Sequence, residues 1–318
     1  MYLSRLAAWH PDGVLRNEDL ARLVDTTDEW IVEHVGIRER RKSPADMPVH
    51  EMGARAAALA LDGVDPAKVD LVVCALSIAD WHIPATANLV AAACGCGDAA
   101  AFDVRAACSS FIFALHTIRG LLATGQHRRA LLVIPEAYTH ATDYGDRATC
   151  ILWGDAAFAC LVTADRPPEG RALEVEDTFV GSRSKDAMAV ATPVGGTFRQ
   201  EGTVVQAFAI RKMAEVARAA CERRGLSPED VAWFVGHQAN LGILERAAVR
   251  AGFAPGKNLT NIQRYGNCGA AGAPTVVTQN MERFRDGERI VVATVGSGLS
   301  WGGAMLRVRD AEQGAGAT

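Results

Sequence analysis

The strongest constraint on this chain is a pattern that it carries twice. "GVDPAKVDLVVCA" (63–75) and "GLSPEDVAWFVGH" (225–237) both run glycine, an apolar residue, a polar residue, proline, two further residues, valine and then an apolar strand, 162 residues apart. Further on, a helix ending "LLATG" leads into "RALLVI" at 129, and one ending "RFRDG" leads into "RIVVAT" at 289, 160 residues apart. Two matches at nearly one offset predict a duplicated unit. The halves are expected at 1–165 and 166–318, meeting in the stretch "ADRPPEGR" (164–171). With 318 residues in all, each half is long enough to build its own core.

Within each half, short β-rich runs alternate with helical patterns. Strands are expected at 70–76, 101–105, 130–135, 156–163, 172–180, 232–237, 289–295 and 304–309, most of them continuously apolar, as strands covered on both faces should be. "VHEMGARAAALALDG" and "VQAFAIRKMAEVARAACERRG" read as helices that stop at a glycine. The alternation predicts an α/β layered fold with mostly parallel sheet. In such folds ligands gather where strands exit into helix N-termini. Three exits stand out: "DVRAACSSF" (103–111), "FVGHQANLG" (234–242) and "RYGNCGAAGAP" (264–274); a glycine-rich turn, "VGSGLSWGG" (295–303), joins the last two strands.

Composition removes several classes of function. A charged fraction of 22% beside 49% hydrophobic residues excludes a disordered chain, and a net charge of −4 argues against nucleic acid as partner. The N-terminus lacks the apolar run of an export signal, and no stretch approaches the ~20 apolar residues of a membrane span, so a cytoplasmic, non-membrane protein is expected. The eight cysteines show no CxxC pairing and read as free thiols; Cys94-Gly95-Cys96 has no further ligands at zinc spacing, so no metal is expected.

Cys108 follows a strand and opens a helix of about four turns. Free N–H groups and partial positive charge there should lower its thiol pKa and stabilise an oxyanion. A cysteine packed as a small hydrophobe is the commoner fate, and is the reading for Cys74, Cys160 and Cys221. His237 ends an apolar strand, where a lone histidine is more often structural. Yet "HQAN" sets several polar groups after that strand, which is costly unless they face a polar cavity or each other. Asn267 sits in a glycine-rich turn, where asparagine also serves for its backbone tolerance.

Taken in order, "AACSSF", "GHQAN" and "YGNCGAA", at intervals of 129 and 30 residues, resemble the Cys–His–Asn set of the β-ketoacyl-acyl-carrier-protein synthase III family of the thiolase superfamily. "LVDTTDEWIVEHVGIRERR" (23–41), "GDRATCILWGDAA" (145–157) and "GSGLSWGGAMLRV" (296–308) are similar to its other signatures. The resemblance implies a thiolase-like fold of two α/β halves in five layers, αβαβα, and a homodimer. It implies an acyltransferase without a cofactor, with acyl-CoA as substrate. Cys108 would take the acyl group, and His237 and Asn267 would stabilise the enolate of a decarboxylating malonyl thioester. The N–H groups of Cys108 and Ser297 would form the oxyanion hole. Trp30 and Arg147 would sandwich the CoA adenine, Phe208 would line the pantetheine tunnel, and Ile83 would close the acyl pocket across the dimer.

The chain also departs from that family. Gly242 stands where an arginine helps dock the acyl carrier protein, and His34 replaces another arginine; Arg38, Arg40 and Arg41 are the compensating cations on offer. Ser297 replaces a glycine, and Ile83 a bulky aromatic residue. Two alternatives therefore stand beside condensation with a malonyl thioester. One passes the acyl group to a hydroxyl or amine of a small, specialised-metabolite acceptor, with His237 as general base. The other is a non-catalytic partner subunit, which the presence of Cys108 disfavours.

Overall fold

A computed structural model describes residues 1–311. Nine strands form one sheet: β1 (Tyr2–Trp9), β2 (Leu71–Ala75), β3 (Ala100–Val104), β4 (Arg129–Ala137), β5 (Asp155–Thr163), β6 (Ala172–Ser182), β7 (Trp233–Gly236), β8 (Arg289–Gly296) and β9 (Ser300–Arg309). All eight expected strands are present, and their cores match the expected runs to within a few residues. β1 is the addition. Its "YLSRLAAW" breaks the apolar alternation with Ser4 and Arg5, and the structure has a register shift between Ser4 and Ala7, with Arg5 at φ 54°. A bulge hides a strand from a period-two reading.

Helices of eight residues or more are α1 (Asp28–Val35), α2 (Val49–Ala60), α3 (Thr86–Cys94), α4 (Ser110–Ala123), α5 (Gly202–Glu222), α6 (Leu241–Ala251) and α7 (Gly272–Gln279). Strand order across the sheet is β7-β8-β9-β6-β1-β5-β4-β2-β3. Read outward from the β6–β1 pair, β6-β9-β8-β7 follows the same course as β1-β5-β4-β2. The sheet is mixed rather than mostly parallel: five of its eight pairings are antiparallel, since β4–β5 and β8–β9 follow one another without a crossover helix. β2 pairs with β3 in parallel, and on β7 the equivalent partner is reduced to one parallel bridge, Phe234 with Asn258.

Three apolar cores explain the layering. One holds residues of both halves of the sheet, among them Val73, Ile134, Phe158, Val235, Val292 and Leu306, together with Phe111, Leu115 and Ile118 of α4 and Val276 and Val277 of α7. The second packs α5 and α6 on the outer face of one half; the third packs α2 and α3 on the outer face of the other. Helices outside, sheet, helices between, sheet and helices outside give the five layers. Each fully buried Val, Leu or Ile side chain contributes roughly 1.5–3 kcal/mol. The strand ends that point into the middle of this stack are thereby rigid, and the turns of interest leave from them. Among the described residues, no helix is long and apolar enough to cross a membrane.

Candidate active site

Cys108 lies in a tight turn (107–109) between β3 and α4. Ala107 before it has φ 47°, a left-handed conformation that costs an alanine energy and survives because its surroundings hold it. The holders are specific: the Ser109 N–H donates to Ala106 O (3.1 Å), the Ala106 N–H to Ser110 Oγ (2.8 Å), and Ser300 Oγ to Ala106 O (3.2 Å). Gly296 presses on the same turn: a Cβ built on it would lie 3.0 Å from the backbone nitrogens of both Cys108 and Ser109.

Cys108 is 8% exposed, and its thiol differs from the expected one. Burial pushes its pKa up strongly, the Glu136 carboxyl pushes in the same direction, and only its own backbone N–H opposes them. The helix amides do not win, because loss of water around the sulfur outweighs a dipole that acts only over the first turn. At rest Cys108 is a thiol.

His237 continues the ladder just past β7, its N–H donating to Ala293 O at 3.0 Å. Burial lowers its pKa to about 4, so the imidazole is neutral at physiological pH. Its Nδ1 is buried without a protein partner. The polar residues after it are satisfied by backbone rather than by a polar cavity. Gln238 donates to Gly236 O (2.7 Å) and accepts from the Asn261 N–H (3.2 Å), while Asn240 caps α6 and donates to His34 O (2.9 Å).

Asn267 is clamped between backbone groups: its N–H donates to Leu152 O (2.8 Å) and its carbonyl accepts from the Gly154 N–H (3.1 Å). Its side-chain Oδ1 accepts from the Gly269 N–H at 3.0 Å, which leaves the amide NH2 as the free donor. Cys108, His237 and Asn267, 129 and 30 residues apart in sequence, line one cavity of about 440 Å³.

Trp30, Phe208, Gly296 and Ser297 line the same cavity. Ser297 keeps an ordinary backbone; the glycine-only conformation falls on Gly298 (φ 120°), and Ser297 Oγ donates to Val190 O. Arg147 stands differently from the expected sandwich. It does not line the cavity, and its guanidinium lies 4.3 Å from the Trp30 ring, which also stacks on His34 at 4.1 Å. A ring held between Trp30 and Arg147 needs roughly twice a ~3.5 Å contact distance, so an adenine enters only if Arg147 moves. Ile83 is 84% exposed and lies outside the cavity of its own chain.

Two residues offered as surface features are placed otherwise. Arg40 is fully buried, donating to Ile151 O (2.6 Å), Asn17 Oδ1 (2.7 Å) and Leu15 O (3.3 Å), so it faces no partner. Residues 39–41 form a short strand, and alternation turns the middle side chain inward. Gly242 is covered by Arg246 one turn later, whose Nε donates to Gly242 O at 3.0 Å.

Sequence reasoning missed an aromatic wall. Tyr138 and Trp153 stack at 4.0 Å, Phe198 meets Trp153 edge-on at 4.5 Å, and all three line the cavity. It also missed Glu136, fully buried at the end of β4; a glutamate ending the apolar run "ALLVIPEA" was the available signal.

Residues 102–181 match the 3-oxoacyl-(acyl-carrier-protein) synthase III family and residues 221–308 its C-terminal part. The β-ketoacyl-(acyl-carrier-protein) synthase III of Caulobacter vibrioides is 36% identical over 315 residues, covering 95% of this chain and 98% of that protein. The crystal structure of the 3-oxoacyl-(acyl-carrier-protein) synthase III of Aquifex aeolicus superposes with a TM-score of 0.91 at 32% identity, over 96% of this chain and 99% of that one. The priming β-ketosynthase of the R1128 polyketide pathway superposes at 0.87 and 28% identity, over 96% and 95%. A thiolase-like fold, a buried cysteine at a strained strand exit and relatives matched along nearly their whole length lead to one conclusion: the chain belongs to the 3-oxoacyl-(acyl-carrier-protein) synthase III family of condensing enzymes.

Proposed function

We propose that this enzyme loads an acyl group from acyl-CoA onto Cys108 and condenses it with a malonyl thioester. In the first half-reaction the Cys108 proton passes to neutral His237, Sγ bonds to the acyl carbon, and the C–S bond to CoA breaks; CoA leaves with the proton. In the second, the malonyl carboxylate leaves as CO2. The enolate oxygen is held by His237 and the Asn267 amide NH2, and the α-carbon attacks the acyl-Cys108 carbonyl. The N–H groups of Cys108 and Ser297 hold the resulting oxyanion until Cys108 leaves as thiolate and is reprotonated.

One observation carries the reading: the Gly269 N–H occupies Asn267 Oδ1, so Asn267 turns a donor, as an enolate requires, toward a cavity shared with Cys108 and His237. The two halves, 1–165 with Cys108 and 166–318 with His237 and Asn267, would each supply part of the site. The reading needs no resident cofactor and takes the enzyme as a cytoplasmic homodimer whose partner brings Ile83. Arg246, beside Gly242, offers a cation to an acyl carrier protein where the family's arginine is absent.

The test is intact-protein mass spectrometry with a panel of acyl-CoA thioesters. An adduct on Cys108, absent in Cys108→Ala, and its discharge by malonyl thioesters with loss of CO2 support condensation. Discharge only by hydroxylated or amine acceptors replaces it with the acyl-transfer reading; no adduct with any thioester overturns both.

A further inference from the structure

Behind the cavity wall, Glu136 is fully buried, and no lysine or arginine among the described residues bonds it. A buried carboxylate is expensive unless donors surround it. Here they are three: the Ser77 N–H (3.2 Å), Ser77 Oγ (2.9 Å) and the Ala270 N–H (3.0 Å). The last belongs to the turn 269–271, and Gly269 lies so close that a Cβ there would stand 2.8 Å from Glu136 Oε1. The same Gly269 donates its N–H to Asn267 Oδ1. This turn packs against the turn of Cys108. One carboxylate thus touches the segment that aims Asn267.

We propose that Glu136 is a positioning residue of this site: through the Ala270 N–H it clamps the turn that aims the Asn267 amide. The assignment rests on the role proposed above for Asn267. The side chains around Glu136 supply no positive charge that could stand in for its hydrogen bonds to the turn. They are Cys108 itself, Tyr138 on its own side of the sheet, Asp155 of β5, Cys268 of the neighbouring turn and Ser77. Tyr138, Cys268 and Asp155 contribute no positive charge, and Asp155 is itself fixed by Ser43 and Thr139. Burial and the Asp155 carboxylate raise Glu136 to about 7 against the pull of its three donors.

Glu136→Ala removes the acceptor of the Ala270 N–H, whereas Glu136→Gln keeps one. Malonyl-CoA decarboxylation is expected to fall roughly tenfold or more in Glu136→Ala, while self-acylation from acyl-CoA changes little, since only the former uses Asn267. Glu136→Gln is expected to restore most of the lost decarboxylation. An equal loss in both half-reactions, or no loss of decarboxylation, overturns the proposal. If Glu136→Ala does not fold, Ser77→Ala decides. With two of its three hydrogen bonds gone or loosened, the carboxylate holds the turn less firmly, so decarboxylation should fall about twofold to fivefold with self-acylation unchanged. An unchanged decarboxylation rate overturns the proposal. If the wild type forms no acyl adduct, the reaction assigned above is at fault, and malonyl-CoA decarboxylation by the variants still judges Glu136.

Discussion

The two ends of the cavity are built from different materials. At the inner end, Cys108, His237 and Asn267 are held by backbone: a ladder bond to Ala293, a double clamp on Leu152 and Gly154, and a strained turn pinned by Ser300 and pressed by Gly296. At the mouth, the relevant groups are long side chains stacked on one another, Arg147 and His34 on Trp30, beside a segment that exposes Met188 (68%) and Val194 (78%). Backbone held from several sides has one arrangement. Stacked surface side chains have several, separated by little energy. Chemistry is therefore written into the inner end and partner choice into the mouth, and substitutions at the two ends should differ in kind as well as in size.

The sharpest way to break this comparison is to remove a donor at the inner end. His237→Ala and Asn267→Ala are each expected to reduce malonyl decarboxylation by about 10²–10³, the usual effect of losing one donor to a developing oxyanion, measured as CO2 release. Self-acylation should survive Asn267→Ala nearly intact but weaken in His237→Ala, which also loses the proton acceptor. Because His237 remains neutral down to about pH 4, wild-type self-acylation should hold its rate as pH falls toward 5 and drop only near 4. An acid limb near 6.5, the ordinary histidine value, would show that burial does not hold the His237 pKa down in the working enzyme.

Gly296→Ala comes next. Its new methyl carbon would stand 3.0 Å from two backbone nitrogens of the Cys108 turn, tighter than ordinary contacts, so either turn must shift. Overpacking of this kind costs about 1–3 kcal/mol, and a displaced nucleophile loses rate as well. Self-acylation should slow by roughly tenfold to a hundredfold with a lowered Tm. A variant acylating at the wild-type rate would mean that the inner end is more compliant than its bonds suggest.

The same division explains what was legible in the sequence. Apolar runs gave eight strands, because a strand buried on both faces must be apolar throughout. β1 escaped because its bulge at Arg5 breaks the alternation. Cys108 was legible because it stands between a strand and a helix N-terminus, and His237 because a polar residue at the tip of an apolar run is costly, whereas Gln238 and Asn240 looked alike in sequence and turned out to be satisfied by backbone. The thiol's raised pKa was not legible. It depends on burial that only the packed layers produce and, less, on Glu136, 28 residues away. Nor was the burial of Arg40, which follows from a short strand inside a run that reads as a charged surface.

The mouth should answer more gently. Arg147 lies 4.3 Å over Trp30, a cation–π contact worth about 0.5–1 kcal/mol at an exposed site. To clamp an adenine it must give up that contact and regain a similar one on the ligand, so the net gain from the clamp is small. Arg147→Ala loses the clamp but also frees the Trp30 face. The KM for an acyl-CoA should rise by only about twofold to fivefold, with the maximal rate of self-acylation unchanged. An acyl-pantetheine donor, which has no adenine, should show no change at all. A fall in maximal rate with both donors would place Arg147 in the chemistry of the inner end and undo the division between the two ends.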